Sequence, residues 1–449
     1  MKAVVLAGGK GSKMFPFSTY HQKCCLPILN TPNIVRIIHQ LQEVCITDIT
    51  IIIQENGHEV RAVLANYQVN FIESTTDTLS LILQEELKGE CLVYYGDIVV
   101  SQSVLHEIVQ NYKNDGNTAL VQMHNDEFRT QDYICAQVEE NLIKAIYGHP
   151  RGRYTNSRMG GIYLFDDTVW SLLRHVKLGF ENINCGQMPK LEFYLENVIQ
   201  KAIDNAVVIN ATTTETLYDL DFPWDLFAAN SFFCQVEIGS REKDEIDSST
   251  IISNSAIIHG KIKTGKNCVI GDHVIIKGNL HLEDNVHIED GAIIHPNCLI
   301  GSNSSISEYC KINANSVIGS SNKIGYHAEF TGVTFDRVAQ VHESEVYGVI
   351  GVGVDIAAGC VMGILKFDDT YVTQNIKGKR YASPYTNIVC IGDYTRTGIA
   401  NIFYPGVKVG SNCALGPGLI IDKDIEPGQI ILPLQQTTSR SWGSNKYGW

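Results

Sequence analysis

Aliphatic residues recur at every sixth position through much of the second half of this 449-residue chain. The series runs from Ile252 to Ile324, and only Thr264 breaks its thirteen positions. Aliphatic residues make up about a third of an ordinary chain, so chance does not produce such a run. A period of six with one inward side chain per repeat is typical of a parallel β-helix, in which each hexapeptide forms one face of a triangular coil. The pattern therefore predicts a left-handed β-helix.

The six-residue register is interrupted twice beyond Ile324. It resumes at Ile350, is lost again at residues 366–387, and resumes at Ile391. We expect the second interruption to be an insert that projects from one face of the coil, where such inserts commonly carry function. Its basic residues are Lys377, Lys379 and Arg380.

The composition indicates an acidic, globular chain. The formal net charge is −14, with 44% hydrophobic and 19% charged residues, which argues against nucleic acid as a partner. No apolar run approaches the length of about 18 residues that a membrane span needs, and the N-terminus reads as a strand and not as a signal peptide. The thirteen cysteines show no C-x-x-C spacing, which favours buried thiols in a reducing compartment. We expect a cytoplasmic protein with no membrane partner.

Residues 1 to about 230 alternate apolar strand patterns with helical ones, which predicts an α/β domain with a Rossmann-like, mostly parallel sheet. The first strand runs directly into a glycine-rich loop, GGKGSK, at residues 8–13. Glycines let backbone N–H groups approach a phosphate closely, although on the residues alone an ordinary strand-turn is as good an interpretation. Ligands bind at the carboxyl ends of parallel strands, so Asp97, which follows the apolar run 91–95, is expected at the same edge as the loop.

The segment from Leu6 to Pro27 resembles the signature of the sugar-phosphate nucleotidyltransferases, the NDP-sugar pyrophosphorylases: L-A-G-G-x-G-[ST]-R-[LM]-x-P, followed by a lysine and L-P. The resemblance implies that Lys13 and Lys23 are catalytic and counter the charge that develops on the phosphates. The family's arginine is Lys13 here, and a lysine cannot grip phosphate oxygens in a bidentate fork. The resemblance further implies an NTP-binding set formed by Leu6, Ala7, Gly8, Gly9, Gly11, Ser12 and Lys13.

The same resemblance implies a Mg²⁺ site. Asp97 corresponds to the family's first metal ligand, and Asp219, with Asp221 as the near alternative, corresponds to the second. Mg²⁺ prefers one or two carboxylates together with phosphate oxygens. Without the resemblance, Asp97 reads as a turn residue, and the other two acids suit the start of the helix that follows them.

The resemblance weakens in the middle of this domain. Thr78 and Gly96 occupy positions implied for nucleotide binding, and His149, Gly161 and Glu192 occupy positions implied for binding the sugar phosphate. An aspartate replaces the glycine that precedes the family's base-reading threonine, and the family's glutamate–lysine pair is reduced to a single histidine. The scaffold is kept while several contacts change, which fits either a divergent substrate or a domain that no longer catalyses.

Over nearly its whole length the chain resembles the bifunctional sugar-1-phosphate nucleotidylyltransferase/acetyltransferase group, most closely the archaeal type. The resemblance implies acetyl-CoA as a second cofactor, with His342 as the general base for acetyl transfer. His342 lies one residue from the expected spacing, and a histidine in a β-helix turn is also commonly just solvated. The implied acyl-CoA contacts are Lys377, Lys379, Arg380 and Arg396, in a homotrimer formed through the β-helix.

We therefore expect Mg²⁺-dependent transfer of a nucleotidyl group from an NTP to a sugar 1-phosphate. The alternatives are a non-catalytic regulatory or scaffolding paralogue, and a protein in which only the acyltransferase half is active. The expected organisation is a nucleotidyltransferase domain at 1–230, a linker at 231–248, the β-helix at 249–434 and a tail at 435–449.

Overall fold

The computed structural model describes residues 1–9, 11–54, 57–75, 78–124, 129–151, 154–179 and 193–443. The chain divides into two compact units, Met1–Phe233 and Cys234–Trp449. The first unit has an α/β architecture. Its α-helices are α1 (Asn33–Glu43), α2 (His58–Val63), α3 (Leu79–Glu86), α4 (Gln102–Asp115), α5 (Asp167–Trp170), α6 (Asn197–Asp204) and α7 (Pro223–Phe233).

Most of the strands of the first unit form one nine-stranded sheet with the order β5-β4-β1-β6-β11-β8-β12-β10-β9. The strands of this unit are β1 (Lys2–Leu6), β2 (Pro27–Ile28), β3 (Thr31–Pro32), β4 (Asp48–Ile53), β5 (Asn70–Glu73), β6 (Cys91–Tyr95), β7 (Ile98–Val99), β8 (Thr118–Met123), β9 (Ile134–Glu139), β10 (Leu142–Gly148), β11 (Ser157–Phe165), β12 (Asn210–Thr214) and β13 (Tyr218–Asp219).

The sheet is parallel around β1, the strand that the glycine-rich loop follows. Strand β1 lies parallel to both β4 and β6, and β4 lies parallel to β5. Strand β11 runs antiparallel to its neighbours β6 and β8, so the sheet is mixed beyond this point. Strands β1, β4 and β6 are apolar and almost entirely buried, as expected of strands covered on both faces. The predicted α/β fold class is confirmed.

The second unit is a parallel β-helix of short strands, which also confirms the predicted fold class. Its strands are β14 (Ile251–Ile252), β15 (Ile257–Ile258), β16 (Ile262–Thr264), β17 (Val269–Ile270), β18 (Ile275–Ile276), β19 (Leu280–Leu282), β20 (His287–Ile288), β21 (Ile293–Ile294), β22 (Cys298–Ile300), β23 (Ser305–Ile306), β24 (Lys311–Ile312), β25 (Val317–Ile318), β26 (Lys323–Ile324), β27 (Glu329–Thr334), β28 (Ala339–Gln340), β29 (Glu345–Ile350), β30 (Asp355–Ile356), β31 (Val361–Met362), β32 (Gln374–Ile376), β33 (Lys379–Tyr381), β34 (Val389–Ile391), β35 (Arg396–Thr397), β36 (Ile402–Phe403), β37 (Lys408–Val409), β38 (Ala414–Leu415), β39 (Ile420–Ile421) and β40 (Ile430–Ile431).

The length of one coil explains where the sequence register breaks. In the first coils, Val269 pairs with His287, eighteen residues further on. Glu329 instead pairs with Glu345, sixteen residues further on. Glu329 begins β27 and Glu345 begins β29. Each of these six-residue strands replaces two short strands and the corner between them. The coil is thus two residues shorter after Ile324, and a strict six-residue pattern loses its phase there.

Asparagines form ladders at the corners of the coils. Asn267, Asn285 and Asn303 occupy equivalent corners, with φ angles of 56°, 59° and 60°. Asparagine tolerates this left-handed conformation better than most residues. The side-chain amide of Asn267 donates to Asn285 at 3.2 Å, and that of Asn285 donates to Asn303 at 3.1 Å. The corner residues therefore tie successive coils together.

The insert at residues 366–387 lies where the second interruption of the register predicted it. It contains the antiparallel hairpin β32–β33 and the 3₁₀-helix Pro384–Asn387. The amide of Gln374 donates to the carbonyl oxygen of Gly406 at 2.7 Å, and its oxygen contacts the ammonium of Lys408, which is buried. The base of the hairpin is therefore fixed to the coil, while its tip is exposed.

The cysteines that the structure describes all carry free thiols, and among them only Cys45 is exposed. In the β-helix several of them, such as Cys298 and Cys310, occupy the inward column of the core. Across the same described ranges, no helix is long and apolar enough to cross a membrane.

The inward isoleucines provide a test of the coil. Ile294 has no exposed surface, so Ile294→Ala leaves a cavity and should lower the free energy of unfolding by about 2–5 kcal/mol in urea titrations. The matched control is Ile257→Ala, because Ile257 is 49% exposed and should change stability by less than about 0.5 kcal/mol. Equal effects of the two substitutions would contradict the inward assignment.

Candidate functional site

The glycine-rich loop begins at the carboxyl edge of the sheet, between two parallel neighbours. The amide of Ala7 donates to the carbonyl oxygen of Ile52 at 2.8 Å, and the amide of Gly96 donates to that of Leu6 at 2.9 Å. A side chain at position 96 would place its Cβ 3.0 Å from the Leu6 oxygen, so a larger residue would crowd this close approach. Leu6, Ala7 and Gly96 therefore lie side by side where β1 and β6 end.

The loop then folds over the side chain of Lys23. Gly11 has a φ of 58°, and a Cβ at this position would lie 3.0 Å from Cγ of Lys23. Gly8 and Gly9 form the start of the loop and line a pocket beside it. Ser12, which follows Gly11, is exposed. Lys23 itself is held on a short 3₁₀-helix, Lys23–Cys25, and is buried.

A short antiparallel pairing brings the three candidate metal ligands together. Strand β13 pairs with β7 so that Asp219 lies opposite Ile98, the residue that follows Asp97. The amide of Leu220 donates to the carbonyl oxygen of Asp97 at 3.0 Å. The amide of Asp221 donates back to the carbonyl oxygen of Asp219 at 2.8 Å, which turns both side chains into the same small volume.

The ammonium of Lys23 lies at the centre of these carboxylates. Its Nζ is 2.6 Å from Oδ2 of Asp97, 2.8 Å from Oδ1 of Asp221 and 3.9 Å from Oδ1 of Asp219. Lys13 also reaches this cluster, with its Nζ 2.8 Å from Oδ2 of Asp221 and 5.3 Å from the ring centre of Phe222. The lysine that replaces the family's arginine therefore faces the carboxylates.

The electrostatics of the cluster follow from burial and crowding. Burial, Asp221 and Asp97 raise the pKa of Asp219, and Lys23 only partly offsets them. Burial also acts to raise the pKa of Asp221, but Lys23 and Lys13 outweigh it and hold that pKa below its usual value. The pKa of Lys23 is raised because the three carboxylates together outweigh its own burial.

The carboxylates of the cluster are the type of ligand that suits a hard divalent cation, but the three are not arranged as a ready-made metal site. Asp97, Asp219 and Asp221 present only carboxylate oxygens, the ligands that Mg²⁺ prefers. Among the residues that the structure describes, no group of three or more His, Cys, Asp or Glu side chains is arranged closely enough to hold a metal ion. The ammonium of Lys23 instead provides the positive charge that these carboxylates require.

The remaining candidates of the first unit lie outside this cluster. Thr78 precedes α3 and exchanges hydrogen bonds with Thr75. His149 has a φ of 51°, and its amide donates to the carbonyl oxygen of Tyr133 at 3.0 Å. Gly161 has a φ of 70° and packs against Tyr95. Glu192 lies outside the described residues.

A pocket of about 580 Å³ opens beside Gly8 and Gly9, and its other walls could not be predicted from the sequence. His21 and Glu59 face each other there, with Nδ1 of the histidine 2.8 Å from Oε1 of the glutamate. His21 lies inside the segment that resembles the family signature but is not one of its specified residues, and Glu59 lies outside that segment. Only the folded chain brings the two together beside the loop. The other lining residues are Ser18, Thr19, Tyr20, Gln22, Gln54 and His58.

The candidate acyl-transfer residues lie on the β-helix. His342 is exposed in the turn after β28. Lys377, Lys379 and Arg380 lie at the tip of the β32–β33 hairpin. Arg396, on β35, has its guanidinium 3.5 Å from Oδ2 of Asp355 on the preceding coil.

The chain is similar to curated proteins along nearly its whole length. Residues 3–176 match the MobA-like NTP transferase domain. The bifunctional protein GlmU of Methanococcus maripaludis strain C7 is 31% identical over 439 residues, which cover 96% of this chain and 97% of that protein. The GlmU of Methanocaldococcus jannaschii is 26% identical, with the same coverage. The bifunctional sugar-1-phosphate nucleotidylyltransferase/acetyltransferase of Sulfurisphaera tokodaii is 25% identical and covers 96% of this chain and 99% of that protein.

The position of Lys23 predicts a strong effect on stability. In the absence of divalent cations, Lys23→Met leaves three crowded carboxylates without their central cation and should lower the free energy of unfolding of the first unit by about 3–5 kcal/mol. Lys13→Met is the matched control, because the side chain of Lys13 is 37% exposed and its ion pair should contribute at most about 1 kcal/mol. Urea unfolding monitored by circular dichroism measures both values, and a Lys23→Met protein as stable as the wild type would contradict the prediction.

Proposed function

The chain belongs to the family of the bifunctional GlmU proteins, and we propose that its first unit transfers a nucleotidyl group from an NTP to a sugar 1-phosphate with the help of Mg²⁺. The observation that carries this proposal is the convergence of Lys23 and three carboxylates directly beside the glycine-rich loop. Cations and backbone amides suit a polyphosphate, while clustered carboxylates suit the metal that accompanies it.

In the proposed reaction, an oxygen of the sugar phosphate attacks the α-phosphorus of the NTP in line. The bond from the α-phosphorus to the bridging oxygen breaks, and pyrophosphate leaves. The backbone amides of Gly8, Gly9 and Gly11 orient the phosphates, and the ammonium groups of Lys13 and Lys23 neutralise charge as it develops. Leu6, Ala7, Ser12, Thr78 and Gly96 complete the proposed nucleotide site, and His149, Gly161 and Glu192 the proposed sugar-phosphate site.

Asp97 and Asp219 are the proposed metal ligands, with Asp221 as the alternative to Asp219. When bound, the metal supplies charge neutralisation across the reacting phosphates. Asp97 and Asp219 would hold it, and the ammonium of Lys23, which lies among the carboxylates, would add positive charge beside the phosphates. A non-catalytic paralogue is the less favoured alternative. Crowded buried carboxylates lower the stability of the folded domain, and a purely scaffolding protein has no use for them.

For the β-helix we propose acetyl transfer from acetyl-CoA. In this reaction an acceptor amine or hydroxyl attacks the thioester carbonyl and the carbon–sulfur bond breaks. His342 takes the proton of the acceptor and returns it to the leaving CoA thiolate, so that CoA is released as a thiol. The cations at the tip of the hairpin, Lys377, Lys379 and Arg380, suit the phosphates of CoA, and Arg396 is proposed to add a fourth contact.

We further propose that the protein is a homotrimer formed through the β-helix. Val361, Ile402 and Ile420 are stacked in register on successive coils, and all three are exposed. A groove of about 550 Å³ lies beside them, and the exposed side chains of Leu365 and Phe367 line it. Contiguous exposed apolar surface of this kind commonly marks a protein interface.

Pyrophosphate release tests the first activity. We expect the wild type with Mg²⁺ to be active with one pair from a panel of NTPs and hexose 1-phosphates, and Asp97→Asn to lose at least about 100-fold in kcat. Asp204→Asn, an exposed carboxylate of α6, is the control and should retain full activity. Silence of the wild type across the panel would support the regulatory alternative, and appreciable turnover by Asp97→Asn would remove Asp97 from the metal site.

Release of free thiol from acetyl-CoA tests the second activity. Replacing a general base typically lowers the rate by about 10²–10⁴-fold, so His342→Ala should lose acetyl transfer by this factor while its pyrophosphate release is unchanged. His327→Ala, a similarly exposed histidine of a neighbouring turn, is the control. Full acetyl transfer by His342→Ala would assign the base elsewhere.

The oligomeric state tests whether the exposed stack of Val361, Ile402 and Ile420 forms an interface between subunits. Ile402→Asp places a charge in the centre of the proposed interface and should convert a trimer into monomers, as measured by light scattering coupled to size exclusion. Ile430→Asp is the matched control, because Ile430 is equally apolar and is exposed on a strand of a different sheet. A wild type that is monomeric at micromolar concentration, or a trimeric Ile402→Asp protein, would contradict the proposal.

A further inference from the structure

A buried carboxyl group lies behind the candidate site and takes no part in the mechanism described above. Glu196 immediately precedes α6 and is only 3% exposed. Its Oε1 accepts two hydrogen bonds, from the hydroxyl of Tyr95 at 2.7 Å and from the hydroxyl of Tyr163 at 2.8 Å. The two rings meet edge to face, with centroids 5.8 Å apart. Burial raises the pKa of Glu196, and the hydrogen bonds from the two tyrosine hydroxyls act in the opposite direction and partly offset this effect.

One of these tyrosines joins the cluster to the site. Tyr95 is the last residue of β6, and only Gly96 separates it from Asp97. Its ring also packs on Gly161, where an added Cβ would lie 3.2 Å from Cβ and Cδ2 of the tyrosine. Tyr95 therefore spans the distance between the proposed metal ligand and the proposed sugar-phosphate position.

The second tyrosine lies deeper in the domain. Tyr163 pairs with Val93 of β6 and stacks on Phe165 at a centroid distance of 6.1 Å. It is fully buried, whereas Tyr95 is only half-buried. The same carboxyl oxygen thus holds one tyrosine that reaches the site and one that belongs to the core.

We propose that Glu196 is a positioning residue for the sugar 1-phosphate: it fixes Tyr95 by its hydroxyl, and the fixed ring forms the wall of the sugar site between Asp97 and Gly161. This inference rests on the proposed nucleotidyl transfer. Without its acceptor, the hydroxyl of Tyr95 is left buried and unpaired, and the ring moves off Gly161 to reach another partner. The wall changes shape, while the glycine-rich loop on the far side of β6 keeps its own contacts.

The test is steady-state kinetics with each substrate varied in turn. Glu196→Leu removes the acceptor, and we expect it to raise the KM for the sugar 1-phosphate about five- to tenfold, with the KM for the NTP unchanged. Glu196→Gln keeps a carbonyl oxygen at the same position and should restore the wild-type KM. Tyr95→Phe should reproduce the effect of Glu196→Leu. Tyr163→Phe is the matched control, since it removes the other hydrogen bond to the same oxygen and should leave both KM values unchanged.

Thermal unfolding shows which variants are folded, and Tyr95→Phe tests the proposal if Glu196→Leu does not fold. The proposal is overturned if folded Glu196→Leu and Tyr95→Phe proteins keep the wild-type KM for the sugar phosphate, or if both KM values rise together. It is also overturned if Glu196→Gln is as impaired as Glu196→Leu, because the charge and not the acceptor would then matter. A wild type that is inactive with every substrate pair is a separate outcome, which removes the proposed function and this inference with it.

Discussion

The ion cluster around Lys23 is the constraint on which the rest of the first unit depends. One ammonium group satisfies carboxylates from two distant parts of the chain. Glycine suits position 11 because its φ is 58° and an added Cβ would crowd the side chain of Lys23. Burying three like charges in this volume is unfavourable unless a cation stands among them. The sheet order, the β7–β13 pairing and the course of the loop together place the carboxylates and the lysine in contact.

The sequence predicted those features that repeat or that lie next to each other along the chain. The β-helix was visible because one inward side chain per hexapeptide generates the core, and a repeated core requires a repeated residue. The edge of the sheet could be predicted because the apolar runs of two strands are closely followed by glycines, Gly8 and Gly96, which is a local pattern. The break in the six-residue register after Ile324 could also be read from the sequence. Its cause, a coil that is shorter by two residues, could be identified only from the strand pairing in the structure.

Features that depend on distant pairings could not be predicted. The family resemblance suggested that Asp97 and Asp219 act together, yet the convergence of both on Lys23 depends on a two-residue strand pairing that no local pattern marks. Glu196 was missed for the same reason, because its two tyrosine partners lie 101 and 33 residues away in the sequence. The contact between His21 and Glu59 in the pocket wall likewise joins residues that are 38 positions apart in the sequence.

The β-helix allows its insert to change independently of its core. Each coil contacts only the coils above and below it, and the strands that flank the insert still pair in register, Val349 with Cys390 and Val361 with Ile402. Adding or removing residues at the exposed tip of the hairpin therefore changes the length of a connection without shifting the inward side chains of the coils. Selection can then alter the projecting segment residue by residue, and the ligand preference of this half of the protein can evolve at almost no thermodynamic penalty to its folding.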